Sequence, residues 1–487
     1  MGTHVNMAHP DLLGLIYLPN ELLDAIVALL DQPSHYALAL TCKATNPSAS
    51  GALYSTYTNR DAPSKAPFHL FLRTLCERSE LAAMVKRLDI RGWRSEFEVA
   101  TGAPWQGLTE PRKQDKTRSQ RTGPLFVSTS RPVTTVPKSY KLFEETAVEI
   151  GLISPHEFPS ISTLKKTVIV GSTLKKREDF ARLLRHGVED AQIVLMLALL
   201  PNVAALYIDG MSVYSTLDWH YFLKQSDTAL RALRTVRICG QLPLYNGQVH
   251  TATFRFLELT PELEHLSLSH VIIEAPHQGK SLMSNRKLLF FSAMDAQING
   301  HMLRNMLSGQ RLEVFQYRPG GHEFLRTHLK KFSEEHIVDC LMDSRQSLRE
   351  LKLYSKQWST SPLLSQFDNL EYMEMPFAAN LFNVTEENDP SDIANVLCKR
   401  IPNSLSTLSL RYILPSDAVG VVMAVLADLK HQGRFSALKT VRLNVSRPCI
   451  SLWFPLIPYD DFDSHLKNTL VGIFEKVGLQ LEVAQTD

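Results

Sequence analysis

The chain of 487 residues is long enough for two or more domains, or for a repeat array behind a small module. Its composition, 44% apolar and 21% charged, is that of an ordinary globular protein. A net charge of only +2 excludes a strong overall field that would draw the chain to nucleic acid or to a membrane surface. We therefore expect neither of these as a partner.

Cysteine usage and hydropathy predict the compartment. The six cysteines stand at least 34 residues apart and form no C-x-x-C pair, which argues against a zinc site and against a disulfide framework. The first ten residues contain two His and a Pro instead of an apolar signal segment. The most apolar run begins near Ala191 and is broken by Pro201, too early to span a bilayer. We expect a cytoplasmic and/or nuclear protein.

The first predicted element carries two apolar stripes, in the stretch YLPNELLDAIVALLDQPSHYALALTCK at residues 17–43. Each stripe has the i, i+4, i+7 spacing of one helix face. The first is Leu22, Ile26 and Leu29, and beside it lies the second, Leu23, Val27 and Leu30. A small module needs only one stripe for its own core, so we predict that the second stripe is an interface. The alternative is that it packs on the rest of the chain as part of a larger helical domain.

Helix boundaries follow from prolines and capping residues. Pro19 suits the first helical position, and the sequence at 31–33 ends that helix. Ser34 is a candidate cap for a second helix, and Pro47 opens a third. The sequence therefore predicts a module of three short helices at residues 14–60.

The module contains a recognisable motif. Leu18-Pro19-x-Glu21-Leu22 is followed by Leu38-x-Leu40-x-Cys42-Lys43, and this arrangement resembles the F-box over about 40 residues. Ala44-Thr45-Asn46 stands where many F-boxes carry a Trp, and the next stretch, GALYSTYTN, resembles the F-box end in fungal proteins. The resemblance implies docking on the Skp-family adaptor of SCF-type cullin–RING ubiquitin ligases, and through it on a cullin. The implied adaptor contacts are Leu18, Pro19, Leu22, Ile26, Leu29, Leu38 and Cys42.

A helix and a first strand unit are predicted at 61–101, followed by an insert at 102–140. The insert is rich in Pro and has few periodic apolar residues, which predicts a flexible loop. Five basic residues between Arg112 and Arg121 leave open a nuclear-import or nucleic-acid patch.

The remaining residues, 141–487, repeat a pattern of apolar-x-x-apolar-x-apolar. With one earlier copy, nine copies begin at Val85, Val203, Leu233, Leu263, Leu312, Leu348, Leu370, Leu405 and Leu438. The last two apolar positions alternate as one face of a strand requires, and helical stretches lie between the copies. This predicts an α/β fold with an irregular leucine-rich-repeat-like solenoid, closed by a C-terminal helix and strand that form a cap. It resembles the degenerate repeats that follow the F-box in many fungal proteins. A doubly wound α/β domain is the alternative.

The residue between the last two apolar positions of each copy is predicted to face solvent or a target protein. These candidates are Tyr207, Arg237, Ser267, Gln316, Lys352, Glu374, Ser409 and Arg442. Their mixed charge indicates no particular class of ligand.

Catalytic motifs fail at specific positions. Glu274 replaces the first Gly of a phosphate-binding loop, and Tyr214 replaces the second Gly of a nucleophile elbow. His322 and His328 stand six apart, whereas the zinc motif needs four. We expect no catalytic residue, no metal and no cofactor. The F-box resemblance then implies a non-catalytic substrate receptor for an unknown target protein. The alternatives are a repeat scaffold not coupled to ubiquitination, and an unrecognised α/β enzyme.

Overall fold

A computed structural model gives the fold. It describes residues 18–59, 68–91, 93, 126–127, 138–153, 168–169, 177–211, 217–240, 254–273, 287–320, 334–354, 364–376, 389–412, 417–446 and 464–486. The chain divides into two compact units. The first comprises Met1–Gly210 and Tyr214–Leu233, and the second Met211–Val213 and Arg234–Asp487. Both units combine helices with parallel strands, which confirms the predicted α/β class.

The helices and strands are as follows. The α-helices are α1 (Asn20–Val27), α2 (Gln32–Thr41), α3 (Asn46–Ser55), α4 (Phe68–Glu77), α5 (Ser79–Ala82), α6 (Lys138–Glu149), α7 (Arg177–Arg185), α8 (Glu189–Leu199), α9 (Trp219–Leu223), α10 (Gly300–Leu307), α11 (Glu334–Leu341), α12 (Pro390–Arg400), α13 (Asp417–His431) and α14 (Ser464–Lys476). Short 3₁₀ helices lie at Arg255–Leu259, Met342–Ser344 and Leu364–Gln366. The strands are β1 (Thr56–Thr58), β2 (Arg87–Arg91), β3 (Phe126–Val127), β4 (Val168–Ile169), β5 (Ala205–Met211), β6 (Thr235–Gly240), β7 (His265–Ser269), β8 (Ile272–Ile273), β9 (Phe290–Ile298), β10 (Val314–Pro319), β11 (Glu350–Leu353), β12 (Tyr372–Pro376), β13 (Thr407–Tyr412), β14 (Thr440–Ser446) and β15 (Gln480–Thr486).

Three short helices open the described chain, as the sequence predicts. The residues that cap these helices differ in part from the predicted ones. Pro19 is the N-cap of α1 and precedes the first helical residue. The carboxylate of Asp31 accepts a hydrogen bond from the Ser34 backbone N–H (3.0 Å), so Asp31 caps α2 and the proposed Ser34 cap is wrong. Pro47 lies in the first turn of α3, as expected.

In the first unit, β1, β2 and β5 pair in parallel in that order, and β3 pairs with β4 in an antiparallel ladder. Helix α8 is buried along residues 190–198, which explains the most apolar run of the sequence: it is a core helix. Among the described residues, no helix is long and apolar enough to cross a membrane. Of the predicted insert, the structure describes only the short strand β3 and the first turn of α6; the rest lies outside the described residues.

In the second unit, the strand order follows the chain order: β6, β7, β9, β10, β11, β12, β13, β14 and β15, all in parallel. The short strand β8 pairs with the end of β9. Helices that are consecutive in the chain pack on each other, α10 on α11, α12 on α13 and α13 on α14. Each strand–helix step therefore contacts the next one along the chain.

All nine predicted copies coincide with strands. Their apolar residues are at most 5% exposed, the largest value being that of Tyr317. The backbone repeats as well: two successive N–H groups at the start of a strand donate to one carbonyl of the preceding copy. Glu264 and His265 donate to Arg234 O, both at 2.9 Å, and the pair at 439–440 donates to Ser406 O at 2.9 and 3.1 Å. The copies are thus structurally equivalent steps.

The sequence pattern misses one copy, on β9, whereas the predicted C-terminal helix and strand are both present. Leu288, Phe291 and Ala293 occupy the same positions on β9, and all three are fully buried. The small third residue, Ala293, hid this copy in the sequence. The closing helix and strand are found as α14 and β15, with β15 parallel to β14.

Candidate protein-interaction sites

The first candidate site is a set of exposed apolar residues on α1, on α2 and in the turn between them, in the first unit. Among the described residues, eight large apolar side chains are exposed, and six of them lie in this short stretch. We call these six the α1–α2 surface: Leu22 (53% exposed), Ile26 (36%), Leu29 (87%), Leu30 (36%), Tyr36 (59%) and Leu40 (68%). Single exposed apolar residues are ordinary, but six of them within residues 22–40 are typical of an interface.

The two stripes of α1 have distinct roles. Leu23 and Val27 are buried, at 3% and 1% exposure, so they form the core of the module. The expectation that their stripe is the interface is therefore wrong for these two residues. The neighbouring stripe, Leu22, Ile26 and Leu29, is the exposed one. It is also the stripe that the F-box resemblance assigns to the adaptor.

Side-chain hydrogen bonds position α2 although none of its residues is buried. His35 Nε2 donates to the Val27 carbonyl at the end of α1 (2.7 Å). The buried Thr45 hydroxyl donates to Leu38 O (3.0 Å), and Asn46 Nδ2 donates to Ala39 O (2.8 Å). These two polar residues therefore fix the end of α2. Thr45 also hydrogen-bonds the Cys42 thiol, which lowers the pKa of Cys42 from its usual value.

The seven predicted adaptor contacts divide by exposure. Pro19, Leu22, Ile26 and Leu29 are exposed, whereas Leu18, Leu38 and Cys42 are half-buried. The list of adaptor contacts omitted Tyr36 and Leu40, which are also exposed, and Leu30, the one residue of the second stripe for which the predicted interface position agrees with its exposure. A signal for Leu40 was present, since it belongs to the Leu38-x-Leu40-x-Cys42-Lys43 motif, whereas the spacing gave none for Tyr36.

The second candidate site is a row of side chains across the second unit. Seven of the predicted target-binding residues lie in register on adjacent strands, and the register adds Ser292 and Glu482 to the row. The row is Arg237, Ser267, Ser292, Gln316, Lys352, Glu374, Ser409, Arg442 and Glu482. The eighth, Tyr207, lies on β5 of the first unit, in register with Asp89. We call the side of the second unit that carries this row the polar face.

Not every residue of the row faces solvent. Glu374 is 6% exposed and Ser409 is fully buried, which corrects the expectation of exposure for both. Ser409 Oγ accepts a hydrogen bond from Asn444 Nδ2 (2.8 Å). Glu374 accepts from the Tyr372 hydroxyl (3.2 Å) and from the Arg411 guanidinium (2.9 Å). The side chains that make these hydrogen bonds shield Ser409 and Glu374 from solvent.

The Arg411 guanidinium also lies over the ring of Tyr354, 4.7 Å from its centre. Burial raises the pKa of Tyr354 to about 12, and the Glu374 carboxylate adds to this effect. The Tyr354 hydroxyl therefore stays protonated at neutral pH.

Ser409 is buried and Lys352 is partly exposed, so we predict that replacing each by Ala lowers the free energy of unfolding by different amounts. Ser409→Ala leaves the buried Asn444 amide without its acceptor and should lower the free energy of unfolding by about 1–3 kcal/mol. Lys352→Ala removes a partly exposed ion pair with Glu350 and should cost less than about 1 kcal/mol. Urea unfolding of the two variants measures both values. Equal losses would contradict this assignment of buried and solvated positions.

Among the described residues, no group of His, Cys, Asp and Glu side chains is placed to hold a metal ion. No protein-family model and no curated protein matches the chain.

Proposed function

We propose that the chain is the substrate-recognition subunit of an SCF-type cullin–RING ubiquitin ligase. The observation that carries this proposal is the α1–α2 surface, where six of the eight exposed large apolar side chains of the described residues lie within residues 22–40. They lie on α1, on α2 and in the turn between them, the stretch whose sequence resembles the F-box. In this function the Skp-family adaptor covers the α1–α2 surface and links the chain to a cullin.

The second unit would be the leucine-rich-repeat-like solenoid that binds the target protein. Support comes from strands in chain order, the repeated backbone hydrogen bonds and the alternating burial of strands such as β10 and β11. A doubly wound sheet has helices on both faces, whereas His265 and Arg237 on the polar face are exposed. The chain itself would supply no chemistry. It would raise the effective concentration of the target beside the transferring enzyme.

The alternative is a repeat scaffold that is not coupled to ubiquitination. It is favoured by the packing of α3 on α5 and by the pairing of β1 with β2, which join the three helices to the rest of the first unit.

Co-purification separates the two functions. The tagged full-length chain, recovered from its own cells, should bring down a Skp-family adaptor and a cullin in comparable amounts. Recovery of other proteins without these two would overturn the ligase proposal and support the scaffold.

A further inference from the structure

The polar face has a dense centre on β11, β12 and β13. Glu374 holds Tyr372 and Arg411 through its two carboxylate oxygens, and Arg411 in turn lies over Tyr354. Lys352 lies over the ring of Tyr372, 5.2 Å from its centre. We call Tyr354, Tyr372 and Arg411 the Tyr/Arg cluster. Its side chains are held in place before any partner arrives, which reduces the entropy lost on binding.

Charges around the Tyr/Arg cluster are paired with one another. Four ion pairs of 2.5 to 2.9 Å link neighbouring side chains: Arg318–Asp295, Lys352–Glu350, Arg411–Glu374 and Arg442–Glu482. A strongly acidic or basic partner would have to compete with these pairs. A partner with few charges would leave them intact.

We propose that the Tyr/Arg cluster is the centre of the target site and binds a polypeptide segment with few charged side chains. Aromatic or aliphatic side chains of that segment would pack on the rings of Tyr354 and Tyr372. Tyrosine and arginine, with tryptophan, are enriched among the residues that dominate protein–protein binding energy. This inference rests on the proposed function, because it takes the second unit as the part that binds the target.

A displayed library of random peptides, selected on the immobilised full-length chain, supplies probes for the test. Peptides selected on the wild-type chain should be close to neutral. Tyr354→Ala and Tyr372→Ala should each weaken their binding about tenfold or more. The matched control is His265→Ala, which removes an exposed ring from the same face outside the cluster. That variant should bind within about twofold of wild type.

Salt provides a second readout. Affinity for the selected peptides should change less than about threefold between about 50 mM and about 500 mM salt, because few charges are involved. Tyr372→Phe keeps the ring and should retain binding, which guards against a mere folding defect in Tyr372→Ala. Selection of mostly acidic or mostly basic peptides, or equal losses in His265→Ala and Tyr354→Ala, would overturn the proposal. Adaptor binding by the same variants should stay at the wild-type level, so failure of the ligase function would be seen separately.

Discussion

Replacing Leu22 and Leu29 by Asp is expected to abolish binding of the Skp-family adaptor and to leave the fold intact. Both side chains belong to the α1–α2 surface and are more than half exposed in the free chain, so their carboxylates stay solvated there. In a complex the same carboxylates would be buried in an apolar contact without partners. A loss of about 4 kcal/mol corresponds to about a thousandfold weaker binding. Isothermal titration with purified adaptor measures it.

The matched control is Leu70→Asp. Leu70 on α4 is 44% exposed but lies outside the α1–α2 surface, so this substitution should leave adaptor affinity unchanged. Thermal unfolding of both variants should match that of the wild-type chain. Adaptor binding that survives in the double variant would show that the adaptor binds elsewhere on the chain.

Gly240→Ala is expected to destabilise the second unit by about 3 kcal/mol or more. A Cβ atom at Gly240 would lie 2.1 Å from the carbonyl oxygen of His270, far inside the contact distance. The clash involves backbone at the end of β7, and His270 already has a positive φ of 52°, so neither strand end can move freely. Urea unfolding gives the free energy.

Gly472→Ala serves as the control for that substitution. Gly472 lies within α14, and a Cβ atom there would have no neighbour within 4 Å. The change should stabilise the chain by about 0.5–1 kcal/mol, because Ala has less conformational freedom to lose than Gly. Similar effects of the two substitutions would mean that β6 and β7 do not approach each other as the structure has them.

The repeats were predictable because burial imposes a pattern on the sequence. Each copy needs two alternating apolar residues on its strand and a third apolar residue three positions before the first of them. The nine copies satisfy this rule, and their apolar residues are buried. The sequence pattern did not detect the strand β9, because the small residue Ala293 occupies its third apolar position. It did not detect the strand β1 either, because Tyr57 is the only buried residue of that strand.

The sites were predictable only in part, since exposure depends on distant neighbours. Sequence spacing made the two stripes of α1 equivalent, and only the packing of α3 against α1 decides that Leu23 and Val27 turn inward. The burial of Ser409 depends on Asn444, which follows it by 35 residues. Likewise, Arg411 meets Tyr354 from a strand that is not adjacent to β11.

Hydrogen–deuterium exchange of the full-length chain, with and without purified Skp-family adaptor, tests most directly whether the α1–α2 surface is the adaptor site. Helix α2 has no buried residue in the free chain, so its amides should exchange readily there. We predict strong protection over residues 20–41 on adding the adaptor, with β11–β13 unchanged. Absence of binding, or a complex in which residues 20–41 exchange as in the free chain, would contradict the proposed function.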